Sequence, residues 1–406
     1  MVVKSNILSL KNLFLIYYAI QYILSPLLYY INPHTFLKLS PESFQYTSYS
    51  YFLVIFGGFA FLLGDLMPIN LKWKQKPHII NRQLLNFFSL ITAIASILMF
   101  AKLVDSNGGL YVFLQNQNKF RVSGISGQGI YIFSTLILLP LFMIWICVQS
   151  KILNNKLPVL VLSILAIVFL IIGIIIGFRG PLFCFILSFV IYIDAYIRKI
   201  RVNILIPMVI LGYLLFVLGS ATREQSTKNF TIETENWYNI FYRSNGVLIL
   251  NQTLHHLNTH PNKCKLFDAV KETVTIIIPN ATWKNKPFPL NKQYTKEVFS
   301  QYNTNISPTI LSYIAWVVHP WAILPTMLLL GMFFKVLAQI FKNDGSIISI
   351  WYIVTVPFWI LLAESPQSSF NQIFMFSVSI FIIYTISKLY NTTIVKKSLP
   401  QNIYEL

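Results

Sequence analysis

The chain carries little charge. Only 11% of its 406 residues are charged and just 13 are acidic, whereas 55% are apolar and the mean hydropathy is +0.63. Soluble globular domains have about 25% charged residues. This shortage excludes a large surface exposed to water, and we predict an integral membrane protein.

Cysteine is also scarce, with three residues in the whole sequence. Cys147 and Cys184 lie inside apolar runs and Cys264 lies outside them, so we expect no framework of disulfide bonds. The sequence has no Walker A motif, no glycine-rich dinucleotide turn and no serine-centred nucleophile elbow. These absences argue against nucleotide-dependent enzymes and α/β hydrolases.

Long apolar runs recur along the whole chain. They are roughly 16 to 23 residues long, enough for a helix to cross about 30 Å of hydrocarbon. The sequence therefore predicts an all-α membrane protein with ten transmembrane helices, near residues 11–31, 49–68, 84–104, 129–149, 158–178, 182–197, 203–220, 321–341, 347–363 and 367–387.

The distribution of basic residues gives an orientation. If the N-terminus is cytoplasmic, the short loops on the inner side carry more basic residues than the short loops on the outer side, in agreement with the positive-inside rule. We therefore predict that both termini are cytoplasmic, with inner loops that contain Lys72, Lys74, Lys76, Arg82, Lys151, Lys156, Arg198, Lys199 and Arg201. The basic excess is then largely topological and does not require a nucleic acid partner.

One connection is much longer than the others. About 86 residues, 221–306, separate the seventh and eighth predicted spans on the outer side, and connections of this length usually carry function. We divide the chain into spans 1–7 (1–220), an external cap (221–306), and a surface or re-entrant helix with spans 8–10 (307–406). Helical patterns inside and after the cap cover Asn236–Leu257, Leu266–Ile278, Tyr294–Tyr302 and Ser307–Val318.

Within the first of these patterns, Asn236, Asn239, Arg243 and Gly246 share one helical face. This stripe has two interpretations. In the first, the small residue among polar ones allows a ligand to approach the helix. In the second, the stripe is the water-facing side of a helix that lies at the membrane surface.

Arginine is used selectively. The chain has 24 lysines and 7 arginines, and four of the arginines map to the outer side: Arg121, Arg179, Arg223 and Arg243. Arginine stays charged and binds phosphate through a planar fork. Arg179 lies between two membrane-length runs, which is costly without an anionic partner. We predict a pyrophosphate site, whereas anchoring in the lipid headgroups is the simpler alternative.

A transferase that uses such a donor needs a base near it. On the outer side, Glu364 in the turn Ala363-Glu364-Ser365-Pro366 and His319 before Pro320 are the main candidates. An ion pair with one of the arginines is the simpler explanation for Glu364, and a structural role is the simpler one for His319. The first outer loop offers Glu42 but no paired carboxylates, so we expect chemistry without a metal or cofactor.

The layout resembles bacterial polysaccharide repeat-unit polymerases, the O-antigen and capsule polymerase family, within the GT-C-type membrane glycosyltransferases. The resemblance covers most of the chain. It rests on Gly177-Phe178-Arg179-Gly180-Pro181, on Arg223, on Phe241-Tyr242-Arg243-Ser244-Asn245-Gly246, on Ile278-Pro279-Asn280 with Trp283-Lys284-Asn285-Lys286-Pro287, and on Ser307-Pro308-Thr309. Asn280 and His319-Pro320 depart from the pattern of the family.

The resemblance implies polymerisation of undecaprenyl-pyrophosphate-linked oligosaccharide repeat units, for lipopolysaccharide or capsule, on the outer face of the bacterial plasma membrane. Arg179, Arg223 and Arg243, with Lys286 and Arg121, would neutralise the leaving pyrophosphate, and Glu364 or His319 would be the base. Membrane lipid, a chain-length regulator and a flippase are the implied partners.

Two other functions fit the layout less well. An O-antigen ligase uses the same donor with a different acceptor and also has a large outer loop. A lipid-linked oligosaccharide flippase or other transporter usually has internal repeats and short loops, which this sequence lacks.

Overall fold

The computed structural model describes residues 9–31, 39–69, 80–115, 134–176, 179–200, 245–260, 264–276, 278, 283, 289–300, 306–341 and 346–398. Within these ranges all regular secondary structure is helical, and no strand occurs. Seven helices in them are long and apolar enough to cross a membrane, and two further apolar helices are shorter. The chain is therefore a helical, multi-pass membrane protein.

The helices, in chain order, are α1 (Leu10–Ile31), α2 (Pro41–Leu66), α3 (Arg82–Ser106), α4 (Leu110–Gln115), α5 (Leu139–Ile152), α6 (Val159–Ile176), α7 (Arg179–Tyr192), α8 (Gly246–Thr259), α9 (Leu266–Thr275), α10 (Leu290–Phe299), α11 (Ile310–Val317), α12 (Pro320–Ile340), α13 (Ile347–Leu361) and α14 (Pro366–Ser398). A π turn forms the middle of α1 at Ile20–Leu24. Two further π turns precede α5 and follow α7, at Ser134–Leu138 and Ile193–Ile197.

Nine of the ten predicted spans fall on apolar helices, and the tenth, 203–220, lies outside the described residues. The bounds shift where polar residues start a helix. For example, α2 begins at Pro41 rather than near residue 49, because a 3-10 segment, Pro41–Tyr46, leads into its α-helical part. Hydropathy alone does not detect such a polar first turn.

Among the described helices, α2 and α12 approach each other very closely and run in the same direction. A Cβ added at Gly64 of α2 would overlap the carbonyl oxygen of Leu328, and one added at Gly331 of α12 would overlap that of Phe61. Small residues at a crossing let two helix backbones touch, which is a common way to pack helices in lipid. Further along the pair, Lys335 donates to the carbonyl of Met67 at 2.6 Å.

Aromatic side chains fill the space between α1, α2, α12 and α13. The ring of Phe14 lies 4.8 Å from that of Phe61 and 5.2 Å from that of Phe334, and Trp359 of α13 lies 6.2 Å from Phe334. All are buried. At one end of this bundle, Lys11 of α1 forms an ion pair with Asp65 of α2 at 2.7 Å.

Three helices at the other end, α8, α9 and α10, are the described part of the predicted cap. The Thr253 hydroxyl of α8 lies 2.6 Å from the Tyr294 hydroxyl of α10, and Gln252 donates to the carbonyl of Val298 at 3.1 Å. An ion pair between Lys265 and Glu297 lies against the ring of Trp316. Burial acts to raise the pKa of Glu297, but hydrogen bonds from Lys265 and Gln293 outweigh it and lower that pKa.

The cap differs from the sequence predictions in detail. Its last helix begins at Leu290, directly after Pro289, rather than at Tyr294, and it ends at Phe299 because Ser300 adopts a left-handed conformation. The predicted helix Asn236–Leu257 is described only from Gly246 onward. All eight residues of α11 are buried, which favours the re-entrant interpretation of that helix over the surface one.

Candidate functional site

The site is built around a short helix. With 15 residues α13 is about 22 Å long, which is less than the roughly 30 Å of hydrocarbon. It closes in a turn in which the backbone N–H groups of Glu364 and Ser365 both donate to the carbonyl of Leu361, at 3.0 and 2.9 Å. Pro366 then starts α14, at a position where its missing N–H costs nothing.

This turn places Glu364 beside the first half of α1, before the π turn. The Tyr17 hydroxyl donates a hydrogen bond to Oε2 of Glu364. Tyr17 is followed by 14 more residues of α1, which extend about 21 Å further along the helix. The Glu364 carboxylate therefore lies deeper in the bundle than the end of α1, although hydropathy placed it at the end of a span.

The surroundings of Glu364 raise the affinity of its carboxylate for a proton. Burial raises the pKa of the Glu364 carboxyl, and the hydrogen bond from Tyr17 partly opposes this rise. No cationic side chain pairs with Glu364 among the residues that the structure describes. A carboxylate with a raised pKa is a stronger base than an exposed one, so the position suits proton transfer.

A stripe of polar side chains follows Tyr17 along α1. Gln21 and Ser25, one and two helical turns further, are 1% and 0% exposed. In the described part of the chain, neither atom of the Gln21 amide nor the Ser25 hydroxyl makes a well-formed hydrogen bond, although Gln21 is near enough to Tyr17 to interact. A buried polar group without a partner costs about 1–3 kcal/mol. Such groups are typical of places where water or a ligand binds.

The start of α11 completes the site. Its first two N–H groups donate to the carbonyl of Ala363 at 3.0 Å and to the Tyr22 hydroxyl at 3.1 Å. Ser365 donates to the hydroxyl of Ser307 at 3.3 Å. These contacts hold the turn of Glu364 between α1 and the entry of α11, so α1, α11 and α13 fix its position together.

Comparison of the chain with protein-family models, with curated proteins and with solved structures finds no match. What the site does is therefore inferred from the chemistry of its residues.

Of the predicted pyrophosphate ligands, Arg179 is the first residue of α7, and its side chain lies outside the described residues. The helix itself comes close to Glu364, because the thiol of Cys184 is near enough to interact electrostatically with that carboxylate. Arg179 lies five positions before Cys184, or about 7.5 Å along the helix. The remaining ligands, Arg121, Arg223, Arg243 and Lys286, lie outside the described residues.

His319 has a structural contact. Its Nδ1 accepts a hydrogen bond from the backbone of Trp321 at 3.3 Å and so caps the first turn of α12, and the residue is exposed. Glu364, which is partly buried and bonded to Tyr17, has the surroundings that a base requires. Between the two predicted bases, the geometry favours Glu364.

Gly246 has a different role from the one that the polar stripe indicated. A Cβ at this position would overlap the ring of Tyr22, so the missing side chain makes room for Tyr22 and not for a ligand. The other members of the stripe lie outside the described residues. No group of three His, Cys, Asp or Glu in the described ranges is placed to hold a metal.

Sequence reasoning missed Tyr17, Gln21 and Ser25. A signal for them was present, because three polar side chains at intervals of four share one side of a helix. A glutamine inside a membrane-length apolar run is also unusual enough to mark a functional position.

Proposed function

We propose that the chain is a membrane glycosyltransferase that joins undecaprenyl-pyrophosphate-linked oligosaccharide repeat units into a surface polysaccharide on the outer face of the plasma membrane. In this proposal the chain has ten spans, a GT-C-like arrangement and cytoplasmic termini. The observation that carries the proposal is the Glu364 carboxylate, which is bonded to Tyr17 and lies below the end of α1, close to the helix that begins with Arg179.

The chemistry needs few groups. A hydroxyl oxygen of the acceptor sugar forms a bond to the anomeric carbon of the donor, and the bond from that carbon to the pyrophosphate oxygen breaks. The hydroxyl proton passes to Glu364 as the new bond forms. The lipid pyrophosphate leaves with the electron pair, and the arginines, Arg179 foremost, neutralise its charge.

The raised pKa of Glu364 supports this role. General base catalysis works best when the pKa of the base is near the working pH. Tyr17 keeps the carboxylate oriented and limits the rise of its pKa. The buried polar stripe of Gln21 and Ser25 provides further hydrogen-bonding groups for sugar hydroxyls along α1.

The test is an assay of purified protein in lipid nanodiscs with lipid-linked oligosaccharides extracted from an expressing bacterium. Glycan length is read on a gel and lipid pyrophosphate release is measured in parallel. We expect Glu364→Gln to lower the rate at least about 100-fold, because a positioned base contributes roughly 10²–10⁴-fold. Glu42→Gln, an exposed carboxylate in the first turn of α2, is the matched control and should leave the rate unchanged.

Arg179→Ala and Arg179→Lys test the pyrophosphate site in the same assay. Arginine binds phosphate through two parallel hydrogen bonds that lysine cannot reproduce, so both variants should shorten the glycan. Full-length polymer from both variants would rule out the role of Arg179. Pyrophosphate release that requires added lipid A core would identify a ligase instead of a polymerase.

A further inference from the structure

The cap contains one helix with an uncovered apolar side. In α9, Leu266, Phe267, Val270 and Val274 are 53%, 78%, 53% and 54% exposed, and all lie on the same side of the helix. Ile278, just after its end, is exposed as well. In the other two cap helices the large apolar residues are covered, among them Leu250 and Leu254 of α8 and Leu290 and Val298 of α10.

A second side of α9 is fixed to the protein. Gln367 of α14 donates to the carbonyl of Ala269 at 3.3 Å and to the hydroxyl of Thr273 at 3.1 Å. Asn371 of α14 donates to Oε1 of Glu272 at 3.2 Å. Gln367 and Asn371 belong to the first two turns of a helix that is long and apolar enough to span a membrane. These bonds therefore hold α9 at the level where α14 enters the membrane.

The third side is polar. Asp268 and Lys271 are exposed, next to the apolar side and away from α14. A helix with a protein side, an apolar side and a charged side meets three surroundings at once. This is the pattern of a helix that lies at a membrane surface and buries its apolar side among the acyl chains.

We propose that α9 inserts its apolar side into the lipid leaflet at the cap end and so anchors the cap to the membrane. The occupant of this surface is acyl chain rather than protein, because the surface continues onto α14, where Phe370 is also exposed between Gln367 and Asn371. A contiguous apolar patch on a protein that faced only water would be unusual. The anchor is independent of the glycosyl transfer proposed above.

The test uses spin labels on single cysteines in nanodiscs. The parent is Cys264→Ser, because Cys264 is exposed while Cys147 and Cys184 are buried. Labels at Phe267→Cys, Val270→Cys and Val274→Cys should collide several-fold more with oxygen, which dissolves in lipid, than with a water-soluble nickel chelate. Labels at Asp268→Cys and Lys271→Cys, on the same helix, are the matched controls and should show the reverse ratio.

Two results would overturn the anchor. Equal access of the nickel chelate to both sets of labels would place the apolar side in water. Protection of positions 267, 270 and 274 from both oxygen and nickel would show that protein, rather than lipid, covers this side. All five positions are exposed, so the labelled variants should fold as the parent does, and size-exclusion chromatography of each variant checks this.

Discussion

At the residue scale, the proposed chemistry depends on whether Glu364 carries a proton. Its carboxylate has one described donor, Tyr17, and the two residues are 347 positions apart in the chain. The apolar runs predict that each lies in or beside a membrane helix. No spacing along the sequence indicates that they touch, because the contact depends on how far α13 falls short of the end of α1.

Removing the Tyr17 hydroxyl should change the pH dependence of activity. A hydrogen bond to the carboxylate stabilises its charged form, so Tyr17→Phe should raise the pKa of Glu364 further above its ordinary value. In the proposed reaction Glu364 acts as a base only when it is deprotonated, and the acidic limb of the pH–rate profile should therefore move to higher pH. The measurement is the rate of lipid pyrophosphate release across a pH series.

Tyr18→Phe is the control for this shift. Its hydroxyl donates to the carbonyl of Val54 at 2.8 Å and does not contact Glu364. This variant should keep the acidic limb where it is in the unmodified protein. If Tyr17→Phe also leaves the limb in place, the group that titrates is not Glu364.

Gln21 allows function and stability to be separated. Its amide is buried without a well-formed hydrogen bond in the described residues, so Gln21→Leu should raise the melting temperature by relieving a penalty of about 1–3 kcal/mol. If the amide binds substrate, the same variant should lower the rate of transfer. Ser96→Ala removes another buried hydroxyl without a described partner, in α3, and should not alter the rate. An unchanged rate in Gln21→Leu would remove this residue from the binding site.

At the element scale, the sequence predicts helices far better than it predicts how they pack. Nine of the ten predicted spans fall on apolar helices, seven of which are long enough to cross a membrane, because lipid requires every backbone group in a span to be bonded within a helix. The pairing of α2 with α12 was not predicted. It depends on Gly64 and Gly331, whose spacing in the chain carries no information about which helices meet.

A methyl group added at the crossing of α2 and α12 should destabilise the protein. Gly64→Ala would bring a methyl group onto the Leu328 carbonyl, so the two helices must move apart, and overpacking of this kind costs about 1–3 kcal/mol. We expect a lower melting temperature and less folded protein in detergent. Gly58→Ala in the same helix meets only Tyr18, at an ordinary contact distance of 3.6 Å, and should behave like the unmodified protein.

At the scale of the whole molecule, the cap and the turn at 153–158 lie at opposite ends of the bundle. Cys184, in the first half of α7, lies close to Glu364. At the other end of α7, the Tyr192 hydroxyl donates to the carbonyl of Cys147 in α5 at 3.1 Å. Asn155 follows the end of α5, beyond Cys147. The relative placement is thus fixed by contacts, while the side of the membrane that each end faces is predicted from the lysines.

Native Cys264 provides a direct test of this orientation. It is the one exposed cysteine of the three, so a thiol reagent that cannot cross membranes should label the unmodified protein in intact cells, and Cys264→Ser should abolish the labelling. Asn155 is exposed at the opposite end. In the Cys264→Ser background, Asn155→Cys should be labelled only after the cells are permeabilised. Labelling of Asn155→Cys in intact cells, together with protection of Cys264, would show that the topology is the reverse of the predicted one. The cap and Glu364 would then face the cytoplasm, and the chain could not polymerise glycans on the outer face.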